Sequence, residues 1–385
     1  MRSSNDEFYT DVILEKQDVC NLAKERIQID QGIKAGQKLL VYGKRNTGKT
    51  SVVKNVIGFD WKAIHPNGVF IYLDFFGVAT EEQILSRLTS GLAQSIRRSF
   101  PVQASLLRVL DVLKLLRPKI EFDSSGLPSL TLGVGQKTRA GFEAFFESIA
   151  QLYSKKYPVL IVFDEFQDIH QVPEAEGILR NYLQNLPGKL PVVLMGSKKH
   201  ILSQMFSSPK RAFFNWGNHI EFGLIPYEEF TEYINIRLKK NGMRIDPEIS
   251  KILQDTMNRD PEAINRICQE MISRFSIPRA PIKSLTVSEV ADATRSLLEK
   301  RRSALEEYLN RFTPAEERVL IAFSKQEGRE MQPMGKAFLE KSNLTAGGMK
   351  KIIDRLLDNA VLYHEKNEYS VADPFVWRHL KEFRA

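Results

Sequence analysis

Eight residues, Gly43-Lys44-Arg45-Asn46-Thr47-Gly48-Lys49-Thr50, separate an apolar run, Lys38 to Tyr42, from a helix-forming run that opens at Ser51. The spacing is Gly-x4-Gly-Lys-Thr in the strand–loop–helix setting that gives this motif its meaning. Glycines let the backbone wrap with its N–H groups turned inward, and the helix behind adds the positive end of its dipole, so the cradle suits a polyphosphate. Within it Lys49 is expected to reach the β- and γ-phosphates and Thr50 to ligate magnesium. Gly43 through Ser51 are therefore the candidate nucleotide-binding residues, the competing reading being a chance glycine turn before a helix.

A second run, PVLIVFDE from Pro158 to Glu165, ends an apolar strand in two adjacent carboxylates. In open parallel sheets ligands gather at the carboxyl ends of the strands. Asp164 is accordingly expected to hold magnesium and Glu165 to polarise a water; the bland alternative is that both acids cap the following helix. Asp74 after VFIYL and Ser197 after VVLMG stand at matching strand ends and could face a γ-phosphate, although Ser197 reads equally as the cap of KKHILSQMF.

Further apolar runs, Val69 to Phe75, Val192 to Met195 and Ile220 to Phe222, alternate with stretches of helical spacing such as Leu85, Leu88, Leu92 and Ile96, or Leu106, Leu110 and Leu113. That alternation predicts an α/β domain with a parallel sheet over residues 1–222. DSSG within 119–136 suggests an inserted hairpin. After Phe222 the strand signal stops, and Tyr227–Asn241, Asp246–Asn258 and Asp260–Phe275 read as three amphipathic helices of a small domain over 223–284. Residues 285–385 follow a proline-bearing linker (Pro278, Pro281); helices over Pro314–Phe323, Met331–Lys341 and Ala346–Asn359 precede a ribbon in AVLYHEKNEYSVAD, which is winged-helix order. Three domains agree with 385 residues, since single cores stop growing near roughly 250–300.

No window approaches the roughly 18 apolar residues of a membrane helix, and the start lacks a secretory core, so a cytoplasmic protein without membrane attachment is expected. Cys20 and Cys268 are too few and too far apart for a disulfide scaffold or a cysteine zinc site. The excess of 55 Lys and Arg over 47 Asp and Glu, +8, favours acidic partners only mildly. It is concentrated over residues 85–119, where Arg87, Arg97, Arg98, Arg108, Lys114, Arg117 and Lys119 face one acid, Asp111. This segment is either a nucleic-acid track or the solvated face opposite the leucine stripe. Lys350, Lys351 and Arg355 on the third helix of the winged helix could likewise meet DNA, or that module could dock a protein.

In order, KRNTGKT, VLIVFDEFQDI, VVLMGS, SSPKRAFF, HIEFGLIPYEEF and a terminal YSVADPFVWRHL resemble the AAA+ superfamily, and within it the archaeal-type ATPases near the signal-transduction and origin-recognition ATPases. The resemblance spans nearly the whole chain. It implies a sheet in the order 5-1-4-3-2, a helical lid and a winged helix, with ATP or ADP and Mg2+ as cofactors and ATP hydrolysis as the reaction. By position, it implies Lys49 and Thr50 on phosphate and metal, Asp164 on the metal, Glu165 as catalytic base, Ser197 as first sensor, Arg211 as an arginine finger acting on a neighbouring subunit, and Pro261 against the adenine. Arg211 also reads as a solvated neighbour of Lys210. In the lid, Arg259-Asp260-Pro261-Glu262 replaces the family's Gly-x-Pro-Arg, leaving Arg259 or Arg266 as substitutes for the second sensor. Three functions follow as expectations: an ATPase whose nucleotide state gates conformation and homo-oligomeric assembly, a nucleotide-switched DNA binder, and a signalling scaffold whose winged helix docks a protein partner. A small-molecule kinase would need lid arginines and an acceptor pocket that a winged helix does not supply.

Overall fold

The structure, a computed structural model, describes residues 7–20, 22–100, 114–122, 128–132, 138–154, 157–276, 281–365 and 367–384. The chain divides into two compact units, one made of Ala23–Gly43 and Lys49–Phe222, the other of the segment up to Leu22, Lys44–Gly48 and the chain from Gly223. By this division the lid helices and the winged helix fall in one unit.

The first unit is built on strands β1 (Lys38–Gly43), β2 (Val69–Asp74), β5 (Val159–Asp164), β6 (Val192–Gly196) and β7 (Asn218–Phe222), with an antiparallel hairpin of β3 (Pro118–Phe122) and β4 (Pro128–Leu132) between β2 and β5. The five-stranded sheet is parallel and runs β2-β5-β6-β1-β7, which in sheet-strand numbering is the expected 5-1-4-3-2. β5 and β6 are central and buried at every position, which is why their sequences are unbroken apolar runs. Edge strand β2 alternates instead: Val69, Ile71 and Leu73 are buried, whereas Phe70 and Tyr72 are half-buried and Asp74 exposed. Against β2 packs the helix Glu81–Ser99, capped by Thr80 and burying Leu85, Leu88, Leu92 and Ile96 while Arg87, Arg97 and Arg98 remain exposed. The helical spacing at 106–113, with Arg108 and Asp111, lies outside the described residues.

Beyond β5 an aromatic group fixes the chain. Phe166 is fully buried, its ring centroid 5.1 Å from Phe213, 6.0 Å from Phe163 and 6.3 Å from Phe75. Aromatic contacts of this kind add about 0.5–1.5 kcal/mol each to area burial. They hold the turn at Glu165, whose backbone sits in the left-handed region at φ 48°.

The second unit has lid helices Tyr227–Lys240, Pro247–Thr256 and Pro261–Phe275, with β8 (Met243–Arg244) pairing β9 (Lys283–Ser284). Its N-terminal segment lies along these helices: Asn265 Nδ2 donates to Tyr9 O at 3.0 Å, and buried Arg237 donates to Glu7 O at 3.0 Å and pairs with Asp18 at 3.5 Å. Val287–Lys300 opens with a Thr286/Glu289 capping box and Pro314–Ser324 with a Thr313/Glu316 one. A three-stranded wing pairs β10 (Arg329–Glu330), which precedes the helices Lys336–Ser342 and Ala346–Asp358, with β12 (Glu368–Val371) and β11 (Leu362–Glu365), which follow them.

The helix expected from Met331 begins only at Lys336. Arg329 and Glu330 are drawn into the wing by pairing with Ser370 and Tyr369, and Pro333 disfavours helix at Gln332.

Candidate active site

Gly43, at the end of β1, has no room for a side chain, because a Cβ there would lie 2.8 Å from Phe222 O on β7. Gly48 takes φ 87°, a conformation glycine adopts without steric cost. The helix behind runs as an α-turn over Lys49–Ser51, a π-helical stretch over Val52–Ile57 and an α-helix over Gly58–Ile64. Such π-helical insertions recur at functional sites. Lys49 is buried, and its Nζ donates to Gly43 O at 3.0 Å, folding the ammonium back over the start of the loop.

The loop crest, Lys44–Gly48, groups with the lid. Lys44 Nζ donates to Asn258 O at 3.3 Å, Asn46 Nδ2 to Asp260 Oδ2 at 3.3 Å, and Thr47 Oγ1 to Lys44 O at 2.8 Å; Arg45 is exposed. Asp260 also caps the third lid helix by accepting from Ala263 N at 2.9 Å. Its burial pushes the carboxyl up to about 6, against the opposing pull of the Ala263 amide and the Lys44 charge.

At the end of β5, Thr50 Oγ1 donates to Asp164 Oδ2 at 2.8 Å, so the hydroxyl and carboxylate named from sequence meet. Asp164 Oδ1 accepts from Glu165 N at 2.9 Å. Neither acid caps the 3-10 turn Phe166–Gln171 that follows through its side chain. Ser197 Oγ lies 2.9 and 3.1 Å from the two Glu165 carboxylate oxygens, and the helix beginning at Lys199 has no side-chain cap, so the capping alternative for Ser197 does not hold. Asp74 is exposed and accepts from Phe76 N at 2.8 Å within its own turn.

Two participants are absent from the sequence reading. The Tyr72 hydroxyl donates to Asp164 Oδ2, and burial followed by the Asp164 charge pushes the phenol above its ordinary range, keeping it a neutral donor. Gln167, also buried, donates through Nε2 to Glu165. Alternation along β2 puts Tyr72 on the face of Asp74, a legible signal once β2 is known to adjoin β5; Gln167 carries none, because the aromatic group decides its burial.

Thr50 and Asp164 are hard oxygen donors, suited to magnesium, and among the described residues no cluster of three or more His, Cys, Asp or Glu could hold a metal alone. A sparse set of this kind fits an ion that takes its remaining ligands from phosphate and water.

Pro261 is the first residue of its lid helix and half-buried. Both candidate second-sensor arginines are engaged within the lid unit: Arg259 stacks 4.0 Å above Tyr227 and donates to Ile225 O, while Arg266 pairs with Glu262 at 2.8 Å and Asp11 at 2.5 Å. Arg211 is not an isolated solvated residue; it pairs with Glu176 of its own chain, its Nε 3.0 Å from Oε2, beside His170. On the expected recognition helix Lys350 and Lys351 are exposed, but Arg355 is bound to buried Glu316 at 2.6 Å. Burial pushes the Cys20 thiol up to about 12 and that of Cys268 higher still, which makes both poor nucleophiles.

A parallel 5-1-4-3-2 sheet with a phosphate loop after β1, a helical lid and a winged helix is the AAA+ P-loop fold. Across 97% of this chain and 99% of the other, it is similar to the Walker-type ATPase paby2304 of Pyrococcus abyssi, with a TM-score of 0.65 and 14% identity. It is also similar to the Aeropyrum pernix ORC2 protein in its ADPNP–ADP complexes, with a TM-score of 0.54, 14% identity and 99% and 96% coverage of the two chains. For the Aeropyrum pernix ORC1 protein in complex with DNA the TM-score is 0.51 at 13% identity, with 98% and 95% covered. Residues 303–382 match a family described as a probable winged helix domain. No curated protein matches by sequence. No helix among the described residues is long and apolar enough to cross a membrane.

Proposed function

We propose that this protein binds ATP with Mg2+ and hydrolyses it, and that nucleotide state gates conformation and assembly. The observation that carries the reading is the 2.8 Å bond between Thr50 and Asp164, which joins the phosphate loop to the acidic strand end. Gly43 through Ser51 cradle the phosphates, with the Lys49 ammonium on the β- and γ-phosphates. Thr50 and Asp164 hold the metal, which neutralises phosphate charge when bound. Glu165 takes a proton from the attacking water, and Ser197 orients that carboxylate. Slow turnover follows from two features: Glu165 is engaged by both Ser197 and Gln167, and Glu262 stands where the lid arginine would be. Arg211 serves a neighbouring copy only after leaving Glu176, so its finger role requires assembly.

The test is a titration of purified protein with a fluorescent ATP analogue, paired with a phosphate-release assay. Lys49→Ala should weaken ATP binding by roughly 2 kcal/mol, about 30-fold, through loss of a charged hydrogen bond. If the folded wild type neither binds nor hydrolyses ATP, the reading is wrong.

For the winged helix, binding of a protein partner competes with DNA contact, and the charges favour the protein. Arg355 is neutralised by Glu316, and the wing strands carry Glu330, Glu365 and Glu368 against Arg329. DNA contact, supported by Lys350, Lys351 and the exposed Arg87, Arg97 and Arg98, predicts duplex binding that weakens steeply with salt. A titration with ATP at low salt that yields no DNA complex leaves the docking role.

A further inference from the structure

Asp164 is buried, and three groups donate to its carboxylate: Thr50 Oγ1 and the Tyr72 hydroxyl share Oδ2, and the Glu165 amide takes Oδ1. A threonine hydroxyl has one proton and two lone pairs. Because the Thr50 proton is committed to Asp164, its lone pairs point elsewhere, which is the state a cation requires. The direction of that proton depends on where Oδ2 sits, and Tyr72 fixes Oδ2 from the other side.

Register explains how Tyr72 arrives there. β2 pairs β5 with Tyr72 opposite Val162 and Asp74 opposite Asp164, so the long phenol reaches diagonally forward along the shared face. The Lys54 ammonium lies 4.6 Å from the Tyr72 ring centroid and holds the ring in place without involving its hydroxyl. The hydroxyl can therefore be removed with little change in packing.

We infer that Tyr72 is a positioning residue for the divalent cation: its hydroxyl holds Asp164 so that Thr50 presents its lone pairs to the metal. The inference rests on the nucleotide reading above. Groups standing behind metal ligands in this way contribute about 10–100-fold to metal affinity.

The experiment compares wild type with Tyr72→Phe by Mn2+ titration of the ADP-loaded proteins, followed by electron paramagnetic resonance, alongside binding of a fluorescent ADP analogue in EDTA. Mn2+ is the probe because it shares magnesium's preference for octahedral oxygen ligands. The expected result is metal affinity at least about tenfold weaker, unchanged metal-free ADP binding, and recovery of turnover at excess Mg2+. Metal affinity within twofold of wild type overturns the inference while leaving the nucleotide reading intact. Loss of metal-free ADP binding in the variant also overturns it, by making Tyr72 structural. A folded wild type that binds no nucleotide with or without metal overturns both.

Discussion

Glu165→Gln should lower the rate of ATP hydrolysis by about 10²–10⁴-fold, the usual contribution of a positioned general base, while leaving ATP affinity near that of wild type. The substitution is close to isosteric, and the amide oxygen can still accept from Ser197 Oγ, 2.9 Å from the native carboxylate. It removes the charge and the proton-accepting capacity. Phe166 continues to anchor the turn, so the strained backbone at φ 48° has the same support in the variant. Single-turnover phosphate release at saturating ATP, with affinity measured in parallel, is the check. A rate within threefold of wild type would remove Glu165 from the base role and leave binding to be explained alone.

The second large effect is on stability. Burial lifts the Asp260 carboxyl from 3.8 to about 6, so the folded protein holds that proton more tightly than the unfolded chain. The sign follows directly: the stabilising contribution is fully present below pH about 4, is lost as pH rises toward 6, and is absent above. Near pH 7.5 the buried charge costs up to roughly 3 kcal/mol, at 1.36 kcal/mol per pKa unit. Asp260→Asn should recover a large part of that cost, because asparagine still caps the helix through Ala263 N and can reorient toward Asn46. Loss of the charge beside Lys44 offsets some of the gain. Urea unfolding at pH 4.5 and 7.5 measures it: the difference between the two proteins should grow with pH. A constant difference would mean that Asp260 ionises normally in the folded state.

Much of the fold could be read from the chain because its signals are local. KLLVY followed by the glycine loop, and VLIVFDE with its terminal acids, are confined to short stretches, and continuous apolar strands are the mark of a sheet covered on both faces. The lid helices were legible for a similar reason, since Asp260 and Pro261 start one helix and Asp246 and Pro247 another. The second helical start in the winged helix was misplaced because Arg329 and Glu330 satisfy their backbone groups on β12, about forty residues away in sequence.

Sequence could nominate Ser197 but not choose between a helix cap and a partner for Glu165, and it left Arg211 between a finger and a solvated charge. Those choices depend on which groups lie across strand and helix boundaries. Residue types and their spacing by themselves determined the glycine loop, the acidic strand end and the strand–helix alternation, because each is set within a few residues along the backbone. Only the folded arrangement decided that Tyr72 and Thr50 meet on one oxygen of Asp164, that Gln167 and Ser197 hold Glu165, and that Arg211 and Arg355 are already paired. Hydrogen bonds and ion pairs act over about 3 Å, and proximity on that scale is created by packing.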